Sequence, residues 1–145
     1  MGKRERPGSA DTFEAEVARR FGPLATRWGL AGPEEVGVVL PTLRYARDRL
    51  TYDWMLDPRD AAVSVSVGLV VAGGTLSAWL EEIVRGAGLG PTQAVRRGAR
   101  TWHSLRLAVA SHVEWLERLH PTLAAPGADE FLERVGARKF TPDLG

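Results

Sequence analysis

Between Leu43 and Leu69, apolar and polar residues alternate with a period of two, and no other stretch narrows the possible folds as much. Leu50, Tyr52, Trp54 and Leu56 form one apolar set and Val63, Val65, Val67 and Leu69 another, the signature of two half-buried strands. Asp57-Pro58-Arg59-Asp60 separates them. Pro at the second position presets φ, and Asp at the first accepts from the turn's own amides, so a type I turn is predicted. Pairing Asp57 with Asp60 sets Leu56 against Ala61, Trp54 against Val63, Tyr52 against Val65 and Leu50 against Val67. Apolar residues then meet on one face. A one-residue slip would turn the aromatic residues toward serines. An earlier turn at Arg47-Asp48 adds a third strand, with Tyr45 against Leu50 and Leu43 against Tyr52. Pro41 cannot donate to a ladder, which makes this strand the expected sheet edge.

Around this meander the pattern becomes helical. Phe13, Val17, Phe21, Leu24 and Trp28 recur at steps of three and four from an N-cap at Asp11 or Thr12. Pro23 predicts a break near Gly22, and Gly29 supplies a C-terminal cap. After Ala72-Gly73-Gly74, Thr75 is the expected cap of a helix whose stripe is Leu76, Trp79, Leu80, Ile83 and Val84. A longer helix is predicted from Thr101 to His120, stopped by Pro121, and a last one over residues 129–135. Residues 1–10 read as a disordered tail, 11–140 as a single α+β domain and 141–145 as a frayed end. The expected fold is a three-stranded antiparallel meander with helices packed on one face, in the order α-βββ-α-α-α.

At 145 residues one domain can bury a core without metal or disulfide support, and the sequence contains no cysteine. The charged N-terminus is not followed by the apolar run of a signal peptide, and the longest apolar stretch, around Val63 to Ala72, is too short to span a bilayer. A cytoplasmic protein without a membrane segment is expected.

The sequence carries no catalytic, metal-binding or cofactor motif. His103 and His112, nine residues apart, fall on opposite sides of one helix, and His120 lies two turns beyond His112, so no two share an ion. No nucleophile elbow is present, and the glycines at 86, 88 and 90 follow a helix, where a phosphate cradle follows a strand. Two features remain as candidate binding surfaces. One is the polar face of the meander, with Arg44, Thr51, Asp53, Met55, Ser64 and Ser66. The other is the interval between Glu82 and Glu114, which holds no acid but five arginines, Arg85, Arg96, Arg97, Arg100 and Arg106, in a chain of net charge +1. Arg96, Arg97 and Arg100 could meet an acidic partner surface. Nucleic acid is not expected, since the total charge is near neutral and no reading motif occurs.

The order of an N-terminal helix, the meander Leu43-Arg44-Tyr45, Leu50-Thr51-Tyr52-Asp53-Trp54 and Asp57-Pro58-Arg59-Asp60, and helices ending in Leu119-His120-Pro121-Thr122-Leu123 resembles small cytoplasmic immunity proteins of bacterial polymorphic-toxin systems. The resemblance implies a non-enzymatic protein that neutralises a cognate toxin domain encoded nearby by binding it. It transfers no inhibitory residue. The net charge departs from the acidic balance of inhibitors of basic nucleases, which leaves the toxin class open. Two alternatives are a secretion-chaperone-like client-binding protein and a small enzyme with a site assembled from distant residues such as His103, Asp53 and Arg100.

Overall fold

A computed structural model describes residues 10–37 and 40–141. Helix α1 (Ala10–Arg27) is followed by strands β1 (Ala31–Glu35), β2 (Thr42–Arg47), β3 (Leu50–Asp57), β4 (Ala62–Val71) and β5 (Gly74–Trp79). Then come α2 (Leu80–Gly86), a 3-10 turn at Thr92–Ala94, α3 (Trp102–Leu123), α4 (Ala128–Arg134) and β6 (Arg138–Phe140). The six strands form one antiparallel sheet in chain order. The expected α+β class is observed. The three-stranded meander and the order α-βββ-α-α-α are corrected to six strands in the order α-βββββ-α-α-α-β. The expected tail 1–10 lies outside the described residues except for Ala10, which opens α1, and so does the 141–145 end except for Thr141.

The added strands close edges that a lone meander would leave unpaired. β1 pairs with β2, so the strand expected at the edge is interior, and Pro33 of β1 takes the edge position that proline tolerates. At the other side Gly73, with φ of 81°, reverses the chain into β5. Thr75 therefore continues a strand in place of capping a helix, and only Leu80, Ile83 and Val84 of the predicted stripe are helical and buried.

Both inner hairpins are shifted by two residues from the predicted register. Asp57 pairs with Ala62 and Trp54 with Val65, because Ala61, at φ of 50°, joins Pro58, Arg59 and Asp60 in the loop. The Asp57 carboxylate accepts from the amides of Arg59 and Asp60, at 2.9 and 3.4 Å. The preceding hairpin turns on Asp48-Arg49, with Asp48 at φ of 56°, and sets Tyr45 opposite Tyr52. A shift of two leaves every side chain on its predicted face, because side chains alternate with that same period.

α1 runs unbroken through Pro23, and α3 continues past Pro121 to Leu123. Each proline forfeits one backbone bond. Buried residues on both sides, Phe21 with Leu24 in α1 and Leu119 with Leu123 in α3, anchor the flanking turns to the same core. Thr101 and Ser104 make a reciprocal capping box at the start of α3. α1 ends in the paired bonds of a Schellman motif, Leu30 to Ala25 and Gly29 to Thr26, with Gly29 at φ of 75°.

One sheet face and the helices share a single core. Phe21 of α1 packs edge-on or tilted against Tyr45, Tyr52 and Trp54, with centroids 4.9, 6.0 and 5.3 Å away. Leu105, Val109, Leu116 and Leu119 of α3 and Leu132 of α4 complete the layer. Burying each such side chain contributes roughly 1.5 to 3 kcal/mol, more than a cross-strand pair at about 0.2 to 1 kcal/mol. Among the described residues, no helix is long and apolar enough to cross a membrane.

Candidate functional site

Residues that pair directly across a sheet point to the same side, so the ladder defines the face that does not join the core. Across its middle run Glu34, Arg44, Asp53, Ser66 and Trp79. The next row holds Ala46, Thr51, Gly68, Ser77 and Arg138, and a further row Val70, Thr75 and Phe140. Met55 and Ser64 lie on the opposite flank. All six residues predicted for this surface, Arg44, Thr51, Asp53, Met55, Ser64 and Ser66, therefore share one face.

Arg44 binds Asp53 through two parallel contacts of 2.8 Å, a bidentate geometry that fixes both side chains. This hydrogen bonding keeps the Arg44 guanidinium pKa above its ordinary value. Ser66 and Ser77 bridge β4 and β5 at 3.2 Å. Between these pairs Gly68 carries no side chain, its cross-strand partners are Thr51 and Ser77, and a Cβ there would come within 2.6 Å of the Thr51 hydroxyl. Large apolar side chains stand around these small residues with substantial exposure, Trp79 at 40%, Val70 at 48% and Phe140 at 57%. Trp79 had been expected in a buried helical stripe, and Phe140 lay in a segment without a strand prediction. The available signal was the alternation of Leu76 and Ala78 with Ser77 and Trp79 after the Gly73-Gly74 turn.

The arginine interval meets this face at one corner. Gly98 bridges to Ala62, the Val63 amide donates to the Arg97 carbonyl, and the Ala99 amide donates to the Ala61 carbonyl. The Arg97 guanidinium folds over Ser64, donating to its hydroxyl at 2.9 and 3.3 Å, and lies 3.7 Å from Glu81. Ser64 is buried as a result. Arg106 is likewise turned inward, toward Glu16 and over the Trp102 ring. The side chains of Arg96 and Arg100 have no partner among the described residues, so the free positive charge is smaller than the sequence interval implies.

The histidines diverge, as their helical spacing predicts. His103 is exposed. His112 is fully buried under Trp54, donates from Nδ1 to the Ala108 carbonyl at 2.8 Å, and is pushed down to about 4 by burial. His120 is half-buried, stacked on Trp28 and bonded to Tyr52. No hydrogen bond joins His103, Asp53 and Arg100 among the described residues, and Asp53 is committed to Arg44. No group of three or more His, Asp or Glu side chains able to hold a metal ion occurs among the described residues. Comparison with known proteins finds no matching family model, no similar curated protein and no similar solved structure.

Proposed function

We propose that this chain is a non-enzymatic protein-binding protein that docks one partner on the outer face of its sheet, and that the partner is a toxin domain encoded beside it. The observation that carries the binding reading is the face itself: the small residues Thr51, Ser66, Gly68 and Ser77, flanked by the fixed Arg44–Asp53 pair and by exposed Trp79, Val70 and Phe140. Five strands at about 4.8 Å spacing and about 20 Å in length present roughly 500 Å². With the Arg96 and Arg97 corner this approaches the roughly 800 Å² per partner of a stable interface. Aromatic residues beside a bidentate ion pair are the composition from which binding hot spots are built. The toxin as partner, and the cytoplasm as the place of action, rest on the resemblance to immunity proteins. A secretion-chaperone-like client would instead bind along an edge strand or the sheet face; the two edges are β1, five residues that include Pro33, and β6, of three residues.

The test is co-expression and pull-down with the product of the neighbouring gene, followed by calorimetry. A one-to-one complex that Trp79→Ala and Asp53→Ala each weaken about tenfold, with unchanged circular dichroism, is the expected result. A toxin domain next door that does not bind would sink the immunity reading. Binding unaffected by either substitution would remove the outer face.

A further inference from the structure

At the end of the sheet, on the side of the helices, a cleft of 480 Å³ opens between the C-terminal ends of α1 and α3 and the Asp48-Arg49 hairpin. Its volume falls within the roughly 300 to 1,000 Å³ typical of small-molecule sites. Leu30, Leu50, Leu69 and Leu123 line it with apolar surface. One wall is aromatic: the Trp28 indole and His120 imidazole stack with centroids 3.8 Å apart and planes 8° from parallel.

The tautomer of His120 follows from its partner. Tyr52 is fully buried, and burial pushes its hydroxyl pKa well up, so it keeps its proton. Its Oη lies 2.7 Å from Nδ1 of His120. Burial, and next the charge of Arg47, lower the His120 pKa, so the ring is neutral near pH 7. A neutral ring that accepts at Nδ1 carries its proton on Nε2, which is left as a hydrogen-bond donor.

Two guanidinium groups flank the same opening. Arg47 donates to the Trp28 carbonyl at 2.8 Å, and Arg49 donates to the Val70 carbonyl at 2.8 Å. Each bond uses one nitrogen and leaves further N–H groups on an exposed side chain beside the opening. Asp48 is the one acid among the described residues that line the cleft; its side chain is 85% exposed and 3.6 Å from Arg47. Two arginines against one aspartate leave a surplus of one positive charge at the mouth of a cleft of mixed polar and apolar lining.

We infer that this cleft is a binding site for a small organic anion, a carboxylate with an apolar or aromatic body, whose head is held by Arg47 and Arg49 and whose body lies on the leucines beside the Trp28–His120 stack. The site is separate from the outer sheet face and does not depend on the partner-binding reading. Burial of the body provides affinity, and the two arginines select the charge.

The test is heteronuclear NMR on the full chain, titrated with phenylbutyrate, indole acetate and octanoate, with phenylbutanol as the uncharged counterpart of the first. Saturable shifts of the Leu30, Leu50, Leu69 and Leu123 methyls and of the His120 ring are expected with at least one acid. Phenylbutanol should bind the same site about tenfold more weakly, and Arg47→Ala/Arg49→Ala should remove that preference. The proposal is overturned if none of the three acids gives saturable shifts at these methyls, or if acid and alcohol bind equally. It is overturned equally if the double variant, with its methyl spectrum otherwise intact, retains the preference. Trp79→Ala should leave the titration unchanged, which separates failure of this site from failure of the outer face.

Discussion

The Tyr52 hydroxyl donates to Nδ1 of His120 across 2.7 Å, joining the middle of β3 to α3 over a separation of 68 residues. Because Tyr52 is fully buried, removing the donor leaves a ring nitrogen without its partner. Tyr52→Phe should therefore destabilise the protein by about 1 to 2 kcal/mol in urea unfolding, with the fold unchanged. A loss near zero would mean that the bond contributes no more than contact with water.

His112 makes stability depend on acid. Its folded pKa is lowered by burial to about 4, against 6.5 for an exposed histidine. Between those values the unfolded chain binds the extra proton, so stability is fully present above the upper value and falls as pH drops toward the lower one. From pH 7 to pH 5 the loss due to His112 should be about 2 kcal/mol. Comparing urea midpoints at the two pH values for the parent and for His112→Leu isolates this contribution. An equal acid sensitivity in the variant would assign the effect elsewhere.

Two helical glycines should respond to alanine with opposite signs. Nothing lies within 4 Å of a Cβ built at Gly22 in α1, so Gly22→Ala should gain about 0.5 to 1 kcal/mol from reduced chain entropy. At Gly86, which ends α2, a Cβ would meet Val135 backbone and side-chain atoms at 2.6 to 2.9 Å. There the clash outweighs the helix propensity, and Gly86→Ala should lose about 1 to 3 kcal/mol. Thermal unfolding of the pair reads both signs at once.

Arg97 differs from its neighbours because its guanidinium covers Ser64 and approaches Glu81. Arg97→Ala should lower stability by about 1 kcal/mol, discounted for its partial exposure, whereas Arg96→Ala and Arg100→Ala should stay within about 0.5 kcal/mol. A substitution of all three would mix folding with recognition. The double variant at Arg96 and Arg100 is the cleaner probe: weaker partner binding with a flatter salt dependence is expected if their charge steers the complex.

The Arg44–Asp53 pair offers a double-mutant cycle on the outer face. Its geometry is bidentate at 2.8 Å, but the Arg44 side chain is 42% exposed. Solvent screening should limit the coupling to about 1 kcal/mol or less. A value near zero would mark the pair as preformed for a partner without contributing to the fold.

The alternation from Leu43 to Leu69 determined which side of each central strand meets the core, and so also which residues remain on the outer face. That assignment survives the register error, since a shift of two residues restores the same faces. Three helices, α1, α3 and α4, were legible from their spacing, and the Thr101 and Gly29 caps from their residue types, whereas the helix expected from Thr75 begins only at Leu80. The strand count was not legible. Residues 31–35 and 138–140 carry too few alternating apolar residues to announce strands, and in 74–79 the short alternation around Leu76 and Ala78 also fits a helical stripe; all three become extended because unpaired sheet edges supply hydrogen bonds to them. The helices likewise run through Pro23 and Pro121 because buried residues beyond each proline outweigh one lost bond. The six residues expected on the outer face do share it, yet Trp79, Phe140 and the cover of Arg97 over Ser64 depend on strands and a bridge that pair distant segments. The cleft of Trp28, His120 and the two arginines is the extreme case. Local pattern sets the direction of a side chain along its own element, but packing between elements decides which distant side chains meet.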